Sequence, residues 1–281
     1  MYSNGADFFI FSKVITMKKI TVIGGDERLR ILVKKLMEEG YTVDTLGLYD
    51  SDAAEIETSM ALILPVPTTK DRKTVFTPLT GRQILLSDIA DRVRDNQLIL
   101  CCNWGFEGKK CIDYNKLDSY ALLNAVPTAE GAIKIAIENT PFTLWKSKVL
   151  VIGNGRVGKI LSHRLKGMGC DVTVSARKSS DEALIKALGF RYINTGDLNR
   201  TALPYDIIFN TVDFKVLDDS VFKDSKCVLA LDLSSKGGFS ISAAQSADVK
   251  AIMAPGLPGK IAPLTAGEIL YDTLSRILKT N

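Results

Sequence analysis

Short apolar runs alternate with segments of helical period along most of this chain, the pattern of layered α/β domains. Residues 19–25, KITVIGG, predict a strand ending in glycines. Residues 27–40 predict a helix with Leu29, Leu32, Val33 and Leu36 on one face and Gly40 at its end. Further strands are expected at 41–46, 60–66 and 97–102, with a short helix at 87–95 between the last two. Residues 126–140, VPTAEGAIKIAIENT, are too crowded with Ile133, Ile135, Ala136 and Ile137 for an exposed helix. They predict a buried connector, with Pro127 limiting the helix start. Strands at 148–153, 171–176, 190–193, 205–212, 227–233 and 250–254 follow, with helices at 156–167 and 181–188. The last helix, 264–279, places Ile269, Leu270, Leu274, Ile277 and Leu278 on an apolar face.

This order predicts an α/β protein of two doubly wound domains with a cleft between them. The first domain, 17–125, would be flavodoxin-like or Rossmann-like and hold the substrate. A connecting helix at 126–144 would lead to a Rossmann dinucleotide-binding domain at 145–263. The helix at 264–281 would pack back on the first domain, so that the chain crosses between the halves twice. Residues 1–16 precede a normal first strand at Met17 and lack the basic start and long apolar run of an export signal, so an extension without a fixed fold is expected there.

Composition narrows the partners. The 281 residues suggest roughly two domains. Net charge is +4, with Lys and Arg scattered among acids, which argues against nucleic acid as the main partner and leaves room for small anions. No apolar run is long enough for a membrane span. The five cysteines show no C-x-x-C spacing, as expected of reduced, buried thiols in the cytoplasm.

The chemistry starts at the second domain's first turn. Gly153-Asn154-Gly155-Arg156-Val157-Gly158 follows a predicted strand and opens a predicted helix. The first glycine permits the tight turn and the second admits a pyrophosphate to the backbone. The third lets helix and strand pack closely. The free N–H groups of the helix start favour the phosphates. A glycine turn without a nucleotide is the plainer alternative. About 20 residues on, NAD-selective sites place a carboxylate on the ribose 2′-hydroxyl. Here Ser175-Ala176-Arg177-Lys178 stand instead. A guanidinium can grip a 2′-phosphate through two hydrogen bonds, so NADP is the expected cofactor, with Arg177 its main phosphate ligand, Lys178 a helper and Ser175 beside them. Asn210-Thr211-Val212 and Ser234 end later strands and should flank the ribose and nicotinamide.

Two loops face the cleft from other sides. Residues 254–267, APGLPGKIAPLTAG, are read as a rigid loop that cannot form a helix before Leu264 and that offers amides and Lys260 to an anion. A stiff interdomain connector is the alternative. Gly24-Gly25-Asp26-Glu27-Arg28 could receive a ligand carboxylate, and lacks the pattern of a second dinucleotide site. His163, the single histidine, falls off the apolar stripe of its helix and should face solvent. A cleft histidine for 2-hydroxy-acid dehydrogenation is therefore missing, and no zinc motif is present; no metal is expected, and the proton-transfer residue stays unassigned.

In order, VIGGDER, NAVPTAEGAIKIAIENT, VLVIGNGRVG, VTVSARK, FNTV, LDLSSKGG and APGLPGKIAPLTAGEIL resemble the A-subunit family of bacterial dipicolinate synthases, from about Met17 to Leu278. A more distant resemblance is to S-adenosylhomocysteine hydrolases and hydroxyacid dehydrogenases, which rely on histidines missing here. The resemblance implies a sporulation enzyme of the mother-cell cytoplasm, acting with a flavoprotein B subunit. It implies NADP-dependent aromatisation of a dihydro- or hydroxytetrahydrodipicolinate. A small dicarboxylate would then meet Asp26, Arg28, the Thr128–Glu130 helix start, and Gly256, Leu257, Gly259 and Lys260 of the proline-rich loop. A homo-oligomer is also expected. Lys236 and Asp213 stand where the family has proline. An oxidoreductase of another small imino or hydroxy acid, and a non-catalytic NADP-binding module that docks a flavoprotein, are the competing readings.

Overall fold

A computed structural model describes residues 18–200, 204–223 and 225–281; the extension at 1–16 lies outside them. The first half contains β1 (Lys19–Ile23), α1 (Glu27–Glu38), β2 (Thr42–Leu46), β3 (Ala61–Ile63), α2 (Leu86–Arg92), β4 (Leu98–Cys101) and β5 (Cys111–Asp113). Its parallel strands lie in the order β2-β1-β3-β4-β5. Alternate residues of each strand serve opposite faces. Ile20, Val22, Leu98 and Leu100 pack toward α1, while Ile23, Ile99 and Cys101 pack toward Ile56, Leu86 and Ile89. A parallel sheet covered on both sides needs apolar residues on both faces, which is why these strands read as unbroken apolar runs. The short β5, CID, has too few apolar residues to stand out in sequence.

The bridge between the halves differs from the expected connector. One helix, α3 (Asp118–Glu138), begins eight residues before 126 and ends six before 144, and Pro127 lies inside it. Pro127 removes the hydrogen bond to the Leu123 carbonyl, on a turn where Leu123 is exposed to water. Thr128 Oγ1 donates to the next carbonyl, Asn124 O, at 2.8 Å. Burial overrides the proline: Tyr120 enters the first-half core, and Ala129, Ala132, Ile133 and Ala136 enter the second-half core.

The second half comprises β6 (Lys148–Ile152), α4 (Arg156–Gly167), β7 (Asp171–Ala176), α5 (Ser179–Ala187), β8 (Arg191–Asn194), β9 (Ile207–Asn210), β10 (Leu229–Asp232), α6 (Ile241–Gln245) and β11 (Lys250–Met253). Its parallel sheet runs β11-β10-β9-β6-β7-β8, the six-stranded dinucleotide-binding order with its reversal between β6 and β9. Val149 and Val151 face the α3–α4 side; Leu150 and Ile152 face the other.

The chain does not stay extended after β11. Gly256 takes a left-handed φ of 71° and caps a short helix, α7 (Leu257–Ile261), with Pro258 in its first turn. This corrects the rigid-loop expectation: a proline at the start of a helix costs no hydrogen bond. Then α8 (Pro263–Thr280) lays Leu270, Leu274 and Leu278 into the first-half core. Gly267 permits that approach, because a Cβ there would lie 2.8 Å from Ile31 Cβ and 3.0 Å from Arg28 O. Each buried leucine contributes about 2 kcal/mol.

Candidate functional site

The reversal between β6 and β9 is where ligands settle in such sheets, beyond the strands' carboxyl ends. The three glycines there have three different reasons. Gly153 has φ 102°, and a Cβ would press on Thr211 Oγ1 at 2.6 Å and Val212 Cγ1 at 2.7 Å. Gly158 has no room either, because a Cβ would collide with the Gly153 carbonyl. A Cβ on Gly155 meets nothing within 4 Å. The first and third glycines therefore shape the turn, and the second leaves space for a ligand. Thr211 holds the turn to the strand, its Oγ1 donating to Ile152 O at 2.8 Å.

The neighbouring residues sort into exposed and occupied groups. Arg177 is exposed at the end of β7, forms no salt bridge among the described residues, and places Cζ 4.8 Å from the Phe214 ring centroid. Lys178 is exposed beside it, at the start of α5. Arg156 is exposed with Nη1 3.3 Å from Asp118 Oδ1, which ties the glycine turn to the start of α3. Asn154 Nδ2 donates to Asp181 Oδ1 at 3.1 Å. Ser175 instead is fully buried, its hydroxyl 3.2 Å from Thr195 Oγ1. A direct side-chain contact from Ser175 to a phosphate is thus corrected to a place beneath the strand end.

Asn210 and Ser234 require the same correction. Asn210 is fully buried and uses its amide on Asp232 Oδ1 and Val212 O, both at 2.9 Å. Ser234 donates to Asp232 Oδ1 through its hydroxyl at 2.6 Å and its backbone N–H at 2.9 Å. Asp232 Oδ2 accepts from Gly238 N. This network sets the loop after β10 rather than offering side chains to a ligand. Asp213 accepts from the backbone and hydroxyl of Ser235 at 2.8 and 3.1 Å, and so joins the same loop.

On the opposite wall, Asp26 caps α1 and pairs with Arg28: Nε–Oδ1 is 2.9 Å and Nη2–Oδ2 is 2.7 Å. Nη2 also donates to Val66 O at 2.7 Å. Burial disfavours the charged guanidinium, but the hydrogen bonds and charge of Asp26 outweigh it and Arg28 titrates above its usual value. Gly259 of α7 covers the pair, and its Cβ would lie 2.6 Å from Asp26 Oδ2 and 2.8 Å from Arg28 Nε. Asp26, Arg28 and Gly259 therefore come together at the seam between the halves. Gly256 opens the turn, Leu257 is buried against Gly131 of α3, and Lys260 is exposed with Nζ 3.1 Å from Pro255 O.

The other two expected substrate contacts do not join them. Thr128 and Glu130 lie in the middle of α3 rather than at a helix start. Thr128 bonds its own helix, and Glu130 Oε1 lies 3.1 Å from Arg164 Nη2 of α4. The sequence reading also missed Phe214, signalled only by an aromatic next to the N-T-V turn. It missed Asp232, whose role no spacing announces.

A family model of the N-terminal domain of the dipicolinate synthase A subunit matches residues 19–123. The A subunit of dipicolinate synthase from Bacillus subtilis is 32% identical, covering 94% of this chain and 97% of the relative. The chain belongs to the dipicolinate synthase A-subunit family. The crystal structure of the A chain of dipicolinate synthase from Bacillus subtilis superimposes with a TM-score of 0.84 at 31% identity, covering 95% of this chain and 97% of that one. D-Lactate dehydrogenase from Escherichia coli shares the fold, with a TM-score of 0.61 at 15% identity over 93% of this chain and 96% of that one. The chain therefore shares its overall fold with D-lactate dehydrogenase at low sequence identity. His163 is exposed on α4, edge-on to Phe190 with ring centroids 5.1 Å apart.

Proposed function

We propose that this chain is the NADP-dependent component of a dipicolinate synthase, oxidising a dihydro- or hydroxytetrahydrodipicolinate to the aromatic pyridine dicarboxylate. The observation that supports it most is the pairing of an open backbone position at Gly155 with an exposed Arg177 that has no carboxylate partner among the described residues. A pyrophosphate fits over Gly155 and the start of α4, where N–H groups and the helix dipole favour anions. Arg177 and Lys178 hold the 2′-phosphate. Bound there, NADP supplies the hydride acceptor. The chain's residues would bind the ring and exclude water. From the hydroxy compound, water leaves first. From the dihydro ring, one hydride and one proton leave, which restores aromaticity. Family membership supports the substrate, and it supports partnership with a flavoprotein B subunit. The setting is the mother-cell cytoplasm during sporulation.

The test combines purified chain, with and without the B subunit, with NADP and freshly made hydroxytetrahydrodipicolinate. Growth of pyridine dicarboxylate absorbance in the ultraviolet is expected. NADPH binding with no turnover in either preparation would instead mark a binding module.

One observation favours a second cofactor reading. Asn154 turns Asp181 toward the glycine turn, where a carboxylate could accept from ribose hydroxyls and suit NAD. In Asp181→Asn, this reading expects NADH affinity to fall; the NADP reading expects NADPH affinity to hold or rise.

A further inference from the structure

A cavity of about 550 Å³ opens on the face of the first sheet away from α1 and α8, a size typical of small-molecule sites. Three short segments enclose it. Leu85 and Ala90 come from α2 and its start, Arg72 and Lys73 from the loop before it, and Trp104, Phe106 and Glu107 from the loop between β4 and β5. Each wall is fixed. Leu86 N donates to Lys73 O at 2.9 Å. Asp71 Oδ1 accepts from Lys73 N and Thr74 N, both at 2.8 Å, in a turn where Arg72 has a left-handed φ of 64°. On the other wall Cys101 Sγ donates to Trp104 O, and Phe106 N donates to Cys111 Sγ at 3.3 Å.

The lining combines bare apolar surface with uncommitted charge. Leu85 is 44% exposed, and Trp104 and Phe106 are only partly covered by the core they pack against. Arg72 and Lys73 are exposed, and neither forms an ion pair among the described residues. Glu107 is exposed and without an ion pair there too, so two cations against one carboxylate leave the cavity net positive. Trp104 adds an independent sign. Its Nε1 is sealed from solvent and has no hydrogen-bond partner among the described residues. Buried donors are almost always satisfied, so one left over on a residue of a cavity wall calls for an acceptor.

We propose that this cavity binds a small aromatic carboxylate, with its ring against Trp104 and Phe106 and its carboxylate on Arg72 and Lys73. Aromatic walls favour a planar ring. A guanidinium holds a carboxylate through two parallel hydrogen bonds, and the lysine adds charge. Glu107 repels an anion and so directs it to the Arg72 side. Nε1 of Trp104 is sealed in the free chain, so a turn of the indole accompanies its use by the ligand. None of these residues belongs to the glycine turn or to the Asp26–Arg28 pair, so the site stands apart from the cofactor and dicarboxylate readings above.

The experiment uses Trp104 as its own reporter. The chain has two tryptophans, and Trp145 is 62% exposed, so Trp145→Phe leaves Trp104 as the single source of indole emission with the fold intact. Benzoate titrated into that full-length variant should change the emission saturably at millimolar concentration or below, and benzylamine should not. Adding Arg72→Gln should weaken benzoate roughly tenfold, and adding Glu107→Gln should strengthen it about twofold. Both side chains are exposed, so melting temperatures should stay unchanged. Emission that does not respond to benzoate overturns the site, as does a response that Arg72→Gln leaves unaltered. Benzylamine binding that Glu107→Gln abolishes would reverse the sign of the ligand and overturn the carboxylate assignment.

Discussion

The two halves of the molecule solve the same turn in opposite ways. Each places a glycine-rich turn after its first strand, at the point where strand order reverses. At Gly153–Gly158 the turn is packed from below and open at Gly155. At Gly24–Gly25 it is closed from above. A Cβ on Gly24 would meet Val75 Cγ1 at 2.7 Å and Phe76 O at 2.8 Å, and Gly25 N donates to Phe76 O. Asp26 then caps its own helix and pairs with Arg28. One fold therefore yields an open glycine turn in one half and a covered turn with a polar seam in the other. The difference lies in whether the chain supplies its own cover.

Gly24→Ala should separate the halves most sharply. Its φ of 64° and the crowding by Val75 and Phe76 predict a loss of about 3 kcal/mol in a denaturant titration, with NADPH affinity of the folded fraction unchanged. Gly155→Ala is the mirror case. Stability should change by no more than about 0.5 kcal/mol, while dinucleotide affinity drops at least roughly tenfold because the methyl occupies the pyrophosphate's space. If Gly155→Ala binds NADPH normally, the cradle reading fails. Arg177→Ala should cost NADPH about tenfold or more in affinity and leave NADH nearly unchanged; an unaltered NADPH/NADH ratio breaks the assignment.

The smallest effect concerns the buried thiols, Cys101 and Cys102 in the first half and Cys227 in the second. Burial pushes each up to about 12. In the unfolded chain these thiols ionise near 8.5, so above that pH the unfolded state sheds protons the native state keeps. Their contribution is fully present below about pH 8.5 and is lost as pH rises toward 12. Melting temperature should fall between pH 9 and 10.5, and Cys102→Ala should flatten the slope of stability by about 1 kcal/mol per pH unit near pH 10. An identical slope in the variant would show that the thiol ionises freely.

Strand and helix order was legible because each element carries its own period: KVLVI and RVGKILSHRLKG announce a buried strand and a one-faced helix without reference to anything distant. The glycine turn was legible for the same reason, since its constraints are local. The boundaries of α3 were not, because Pro127 disfavours a helix that only packing against both cores stabilises. Nor were the roles of Asn210, Ser175 and Glu130. As strand-end or helix residues they look free, and only the fold brings Asp232, Thr195 and Arg164 against them.

By itself, then, the sequence determined two parallel α/β layers, a glycine turn at 153–158, and basic residues where an acid was expected. Only the tertiary structure decided which of these groups remain available. It joined Arg28 and Gly259, which are far apart along the chain, at one seam. The physical reason is that local periodicity depends on near neighbours, whereas a polar atom's availability depends on whichever distant residue reaches it first.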